Sequence, residues 1–151
     1  MECSVSGDVS RYLNELYGTY DHFDVRQTTI GVDREGFEAV AERPDGIAVR
    51  VEVEGEEGLI ACADGDDWAL PGGVFDAAPG PGTVADAVER WTGVRCAVDG
   101  LDRVSIVGVR CEGCAELWTV SATVSATATG GSPRGSAVWR DRDSPVAATL
   151  P

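Results

Sequence analysis

Lysine is absent from this sequence of 151 residues, and histidine occurs once, as His22. Arginine therefore supplies all 12 basic side chains, against 26 acidic ones, and the net charge is −14. A chain this acidic repels nucleic acids and anionic membranes. The sequence also lacks an apolar run of the roughly 20 residues needed to span a bilayer. Its acidic start lacks the basic-then-apolar order of a secretion signal, so we expect a cytoplasmic protein. The length predicts one domain.

The acidic excess itself is informative. It causes self-repulsion that high salt would screen. Together with the absence of lysine and the many small residues, it is typical of haloarchaeal proteins that work in a salt-rich cytoplasm. A GC-rich genome would also favour arginine over lysine, but it does not explain the acids. The charge is uneven, because residues 1–67 carry 17 acids and 5 arginines, net −12, and residues 68–151 carry net −2. An anionic ligand should prefer the second part.

Cysteine is scarce and irregularly placed. The five cysteines are Cys3, Cys62, Cys96, Cys111 and Cys114. An odd number in a cytoplasmic protein predicts reduced thiols rather than a disulfide framework. Cys111 and Cys114 have the spacing of a zinc knuckle, but a structural zinc site needs four ligands and no second pair is present. We favour a hairpin turn over zinc there, with a redox role as a minor alternative.

The first 45 residues predict a helical extension. Asp8 is placed to cap a helix over about 9–18, and Asp33 to cap a second one. The segment between them, 19–32, is polar and predicts no regular element. The apolar face of the first helix would comprise Val9, Tyr12, Leu13, Leu16 and Tyr17, and that of the second Phe37, Val40 and Ala41.

Residues 46–151 predict the domain to which this extension belongs, with strands around one helix. Apolar residues alternate over 47–53, which predicts a half-buried strand, and a second strand over 58–63 follows a turn. A loop rich in proline and glycine then leads to Thr83, which is placed to cap a helix over 84–92 that ends at Gly93. Strands are predicted over 104–110, 116–128 and 137–140. The class is mixed α+β.

The segment from Leu70 to Val94 resembles the signature of the Nudix hydrolases. That signature has a glycine, five residues, a glutamate, seven residues and then R-E-U-x-E-E-x-G-U, where U is bulky and apolar. Leu70-Pro71-Gly72-Gly73 matches the family's entrance, and Gly93-Val94 ends the signature with its full spacing from Gly72. Val88 takes an apolar position. The resemblance covers about 46–145 and implies a Nudix α/β/α sandwich with a mixed sheet and the signature helix on one face.

No carboxylate of the signature stands at its own position. The first glutamate falls on Ala78 and the arginine falls on Asp86. The three metal-binding glutamates fall on Ala87, Arg90 and Trp91. In this family Mg²⁺ or Mn²⁺ neutralises phosphate charge and activates water, and such cations need oxygen ligands. The resemblance therefore assigns no catalytic residue, no metal ligand and no cofactor to this chain.

We expect the segment from Gly72 to the start of the predicted helix to bind an anion even without a metal ion. Gly72 and Gly73 would form a turn that lets backbone approach a ligand, and a helix start attracts anions. The alternative is that these glycines only join strand to helix. A guanidinium at Arg90 could hold phosphates directly, although an i,i+4 pair with Asp86 is the favoured alternative. The candidate ligand-binding residues are Arg50, Trp68, Leu70, Gly72, Gly73, Asp86 and Arg90.

Several of these side chains have structural alternatives. In the family, a basic residue near Arg50 often reaches phosphate, but pairing with Glu52 is as plausible. Three tryptophans on strands, Trp68, Trp118 and Trp139, could stack a base but are more often core. The C-terminal arginines, Arg134, Arg140 and Arg142, could touch an anion, but Asp141 and Asp143 neutralise them.

Three functions remain open at this point. The first is a Nudix-family protein that binds a nucleotide or diphosphate but is impaired in hydrolysis. The second is an active hydrolase with a rebuilt Mg²⁺ or Mn²⁺ site that uses Asp76, Asp86, Glu89 or Glu116. The third is a structural or regulatory module whose old pocket is filled, for which Trp91 in an apolar pocket would be the sign. The expected partner is a small nucleotide or diphosphate, and the family's frequent dimerisation suggests a homodimer.

Overall fold

The computed structural model describes residues 5–43, 46–113 and 116–141, with side chains from residue 9 onward. Within these ranges the chain forms three helices and eight strands. In chain order they are α1 (Val5–Thr19), β1 (Asp24–Gly31), α2 (Arg34–Ala41), β2 (Ile47–Gly55), β3 (Gly58–Asp64), β4 (Asp67–Ala69), β5 (Gly72–Phe75), α3 (Pro81–Thr92), β6 (Val94–Arg110), β7 (Leu117–Gly131) and β8 (Ala137–Arg140). Among these described residues, no helix is both long and apolar enough to cross a membrane.

The strands form one mixed sheet in the order β1-β6-β7-β2-β3-β4. In addition, β5 pairs with β2 and β8 pairs with β3. Two pairings are parallel, β1 with β6 and β2 with β7. The other pairings are antiparallel. The strand order begins with β1 and ends with β4, so the sheet is open and does not form a barrel. Three helices together with this mixed sheet confirm the predicted α+β class.

The core lies on one face of this sheet. The alternating residues of β2, from Ile47 to Val53, are at most 1% exposed, which confirms the predicted strand. Their direct partners on β7 are Val120, Ala122, Val124 and Ala126, which are also buried. Side chains of both α1 and α3 join the same cluster: Tyr12, Leu16, Val84 and Val88. Each fully buried valine contributes about 1.5–3 kcal/mol before the entropy of ordering is subtracted.

The observed helices α1 and α2 agree only in part with the helices predicted from the sequence. Helix α1 already begins at Val5, so Asp8 lies inside it and the predicted cap is wrong. Tyr17 is also off the buried face, because it is 57% exposed and its ring stacks on Phe23 at 4.6 Å. The cap of α2 is confirmed, since the carboxylate of Asp33 accepts a hydrogen bond from the Gly36 N–H at 2.7 Å.

Strand β1 occupies a segment for which no element was predicted. All eight of its residues are exposed, and it pairs in parallel with β6 at the end of the strand order. A strand with no buried face has no alternating apolar pattern that a sequence could display. The polar stretch therefore conceals an edge strand.

The two long strands of the central hairpin are longer than predicted. Strand β6 starts directly after Gly93 and runs for 17 residues, and β7 continues to Gly131, where a loop was predicted. Register shifts near Cys96, Gly100 and Arg103 interrupt the alternation of inward and outward residues in β6. The first half of this strand therefore lacks the alternating pattern by which a strand is predicted from sequence. Gly113 has a φ of 79°, as the predicted turn requires. The other half of the cysteine pair, Cys114, lies outside the described residues.

Candidate functional site

The paired glycines of the signature entrance lie in a strand. Gly72 pairs with Arg50 and Gly73 with Val49, antiparallel to β2, so the predicted glycine turn is wrong. The N–H of Val51 also donates to the carbonyl of Pro71 at 2.9 Å. The pairing satisfies backbone groups along β2 that a turn would leave open.

At each of these two positions a neighbouring side chain leaves no room for a Cβ atom, and the two neighbouring side chains lie on opposite faces of the sheet. A Cβ on Gly72 would collide with the side chain of Arg50, whereas a Cβ on Gly73 would stand 2.8 Å from Cζ2 of Trp91. Successive residues of a strand point to opposite faces. Arg50 is therefore separated from α3 by the sheet.

Helix α3 has the predicted end but not the predicted start. It begins at Pro81, with Gly80 as an extended N-cap, so the cap predicted at Thr83 is wrong. Proline fits the first helical position because its missing N–H would have no partner there. At the other end Gly93 adopts a φ of 85°, as predicted. Arg134 adds a second cap, since its guanidinium donates to the carbonyl of Arg90 at 3.0 Å.

The signature positions on α3 differ sharply in burial. Ala87 is fully buried beside Val84 and Val88. Trp91 is half-buried, packs against Gly73 and meets the ring of Phe75 edge-on, with centroids 6.0 Å apart. Two of the three positions where the family has metal-binding glutamates are thus part of the packing.

The loop before α3 is held by α1. The N–H of Ala78, at the position of the signature's first glutamate, donates to the carboxylate of Glu15 at 3.0 Å. The hydroxyl of Tyr20 donates to the carbonyl of Pro79 at 2.9 Å, and burial raises the pKa of Tyr20. The N-terminal helix therefore positions the signature loop.

The remaining charged positions of α3 are exposed. Asp86 and Arg90 both face solvent, and in the described part of the chain they form no ion pair, contrary to the favoured prediction. An exposed pair at this spacing would contribute only about 0.3–0.5 kcal/mol, which does not compensate for holding two flexible side chains together.

The other candidate residues do not converge on one site. Leu70 is 5% exposed, so it belongs to the buried interior. Trp68 lies on β4, where the guanidinium of Arg140 stacks on its ring at 4.7 Å. Arg50 is half-buried, and its guanidinium donates a long hydrogen bond, 3.5 Å, to the carbonyl of Val49. The seven predicted residues are thus distributed over both faces of the sheet and an outer strand.

The possible stray carboxylates are similarly dispersed. Glu116 accepts a 2.6 Å hydrogen bond from the exposed guanidinium of Arg110. Asp76 and Glu89 are exposed, on the loop and on the helix. Across residues 5–43, 46–113 and 116–141, no three histidine, cysteine or acidic side chains are placed to hold a metal ion. Arg142 lies outside these ranges, so the predicted C-terminal basic cluster is described only for Arg134 and Arg140.

Comparison with known proteins leaves the family open. No family model matches the sequence, and no curated protein matches it. A crystal structure of a candidate oxidoreductase from Sinorhizobium meliloti 1021 is similar at 17% identity and a TM-score of 0.48, covering 72% of this chain and 35% of that one. A UDP-X diphosphatase is similar at 16% identity and a TM-score of 0.44, covering 69% and 54%. The chain spans about a third and about half of their lengths. Likenesses this weak assign no activity.

One carboxyl cluster was not predicted. Asp102 accepts a 2.6 Å hydrogen bond from the hydroxyl of Ser125, and Asp102 is also close enough to Glu52 to act on its pKa. Burial, and then the charge of Asp102, raise the pKa of Glu52, while Arg103 opposes the shift. The register shifts of β6 bring these residues together, and no sequence signal marks them.

Glu52→Gln should therefore raise the melting temperature at pH 7. A carboxyl whose pKa is raised by folding stabilises the protein below its unfolded pKa and loses that contribution as the pH rises through the folded pKa. The amide imitates the neutral form, so the gain should disappear near pH 4. Thermal unfolding from pH 4 to 8 measures it. The control is Glu56→Gln in the exposed turn, and an equal gain there would attribute the effect to net charge alone.

Proposed function

We propose that this chain is a Nudix-type domain that has lost metal-dependent diphosphate hydrolysis because its own side chains fill the metal pocket. The order of strands, loop, α3 and strands fits the arrangement that the signature implies. The spacing from Gly72 to Gly93 supports the same fold, since Gly73 supports α3 and Gly93 ends it. The α/β/α sandwich belongs to this proposal as well.

The observation that carries the proposal is the packing of Trp91 on Gly73. In the family, carboxylates at i, i+3 and i+4 of this helix form one oxygen-lined face for a hard cation. Here the same positions carry a methyl group buried in the core, an exposed guanidinium and an indole packed against the sheet. None of these groups is a ligand for Mg²⁺ or Mn²⁺, and the guanidinium of Arg90 would repel either ion.

This packing favours a structural or regulatory module over the two other functions. A nucleotide-binding site would need the candidate residues to meet, yet Arg50 and Arg90 lie on opposite faces of the sheet. A rebuilt metal site would need clustered carboxylates, yet Glu116 is engaged by Arg110 and Glu89 points to solvent. The function left to the signature region is to hold α1, α3 and the sheet together.

Incubation with nucleoside diphosphate compounds such as ADP-ribose, with Mg²⁺ or Mn²⁺ at high KCl, should release no phosphate above the protein-free rate. Calorimetry with the same compounds should give no saturable heat, with or without metal. These results follow because the signature positions Ala87, Arg90 and Trp91 of α3 offer no oxygen ligand for a cation. Matched variants are Glu89→Gln and Glu116→Gln. Hydrolysis that disappears in either variant would establish a rebuilt site, and metal-independent binding lost in Arg90→Gln would establish a phosphate site on α3.

A further inference from the structure

A cavity of about 190 Å³ lies between α1, α2 and the sheet, at the start of β2 and β7. None of its lining residues belongs to α3. The walls are mainly apolar or aromatic: Val9, Tyr12, Val40, Val74, Leu117 and Trp118. This site is therefore separate from the filled signature pocket.

Helix α2, which forms one wall of the cavity, is only loosely packed. This helix has eight residues, none of them buried, and a helix of that length is marginal without tertiary support. Val40, which is half-buried, and Ala41, which is exposed, line the cavity from its apolar stripe. Atoms that face empty space lose dispersion contacts that a fitting molecule would supply.

The lining has one polar side. Its polar lining residues are Thr119 and Ser121 of β7 and Arg43, which is exposed and follows α2. Within the described residues Arg43 makes no ion pair with a carboxylate. A guanidinium binds a carboxylate through paired charge-assisted hydrogen bonds, and the opposite walls offer two aromatic rings.

We propose that this cavity binds a small carboxylic acid with a ring-sized apolar body. A cavity of about 150 Å³ accommodates benzene, so the volume here suits a ring with a carboxylate. The ring would lie against Tyr12, Trp118 and Val40, and the carboxylate would meet Arg43. Residues 1–67, which include Arg43, carry net −12 and repel anions at long range, contrary to the preference for the second part that charge alone predicts. In about 1 M salt the Debye length is roughly 3 Å, so the direct contact with Arg43 dominates.

The test uses benzoate and benzyl alcohol, which share the ring and differ in charge, by calorimetry at about 1 M KCl. Benzoate should bind saturably and about tenfold more tightly than benzyl alcohol, the factor that one charge-assisted contact gives. Arg43→Gln should reduce benzoate to the level of benzyl alcohol and leave benzyl alcohol unchanged. Ala48→Leu, which fills the cavity from β2, should abolish binding of both.

Two further variants keep the result interpretable. Val74→Phe also fills the cavity, and because Val74 is 48% exposed this variant should still fold. It therefore tests the effect of a filled cavity on binding if Ala48→Leu fails to fold. Ala63→Leu is the matched control at an exposed position of β3 and should bind like the wild type. The proposal is overturned if neither probe binds saturably, if benzyl alcohol binds as tightly as benzoate, or if binding survives Val74→Phe. None of these outcomes depends on α3, so the proposed function is tested separately.

Discussion

Ala87→Glu is expected to destabilise the protein by about 3–5 kcal/mol, because it would place an unpaired carboxylate in the core. The methyl group of Ala87 is fully buried and lies beside Val84 and Val88 in the packed interior. A carboxylate there must lose its water or force the helix away from the sheet. At the usual stability of a domain, about 5–15 kcal/mol, this loss removes much of the margin.

Urea unfolding at high KCl measures the effect, and Ala85→Glu is the matched control. Ala85 stands two residues earlier on α3 and is only half-buried, so the same substitution there should cost less than about 1 kcal/mol. Similar midpoints for the two variants would mean that residue 87 can reach solvent. In that case the pocket would be open and the proposed loss of hydrolysis would lose its physical basis.

The same variant tests whether a single glutamate at residue 87 could hold a cation. Added Mn²⁺ should not restore the stability of Ala87→Glu, because no oxygen ligands stand at residues 90 and 91 to share the cation. Restoring one glutamate of the signature is therefore costly without its partners.

Sequence patterns predicted the elements whose physical basis is local. The alternation of Ile47 to Val53 indicates a strand because one face is buried, and the structure confirms it. Gly93 marks the end of α3 because a left-handed residue there favours glycine. Asp33 caps α2 because its carboxylate reaches the N–H of Gly36. Each of these signals depends on residues close in the chain.

Features set by distant residues could not be predicted in this way. The two signature glycines suggested a turn, but pairing with β2 makes them a strand, and that pairing decides which face each one takes. The sequence alone places Arg50 and Arg90 in one set of candidate ligand-binding residues, because it does not show that the sheet separates them. Strand β1 is exposed throughout, so its pairing with β6 leaves no apolar pattern.

Trp91→Ala should cost about 2–4 kcal/mol of stability, somewhat less than a fully buried tryptophan because Trp91 is only half-buried. It removes the indole that covers Gly73 and meets Phe75. Trp91→Phe keeps an aromatic ring at that place and should cost less, about 1.5 kcal/mol or below. Urea unfolding gives the free energy of unfolding of both variants, and the difference between them shows how much of the loss a smaller aromatic ring prevents. Equal losses below about 0.5 kcal/mol would mean that Trp91 lies on the surface and fills nothing.

A double-mutant cycle with Gly73→Ala tests the contact itself. In the wild type a Cβ at Gly73 would stand 2.8 Å from Trp91, so Gly73→Ala should be destabilising. Once Trp91 is alanine, that obstacle is gone and the same change should cost less. The expected coupling is about 0.5–3 kcal/mol, in the range found for residues in contact. Strict additivity would separate the indole from the glycine and remove the observation on which the filled pocket rests. Coupling without any gain of diphosphate hydrolysis in Trp91→Ala would show that emptying the pocket does not recreate the oxygen ligands.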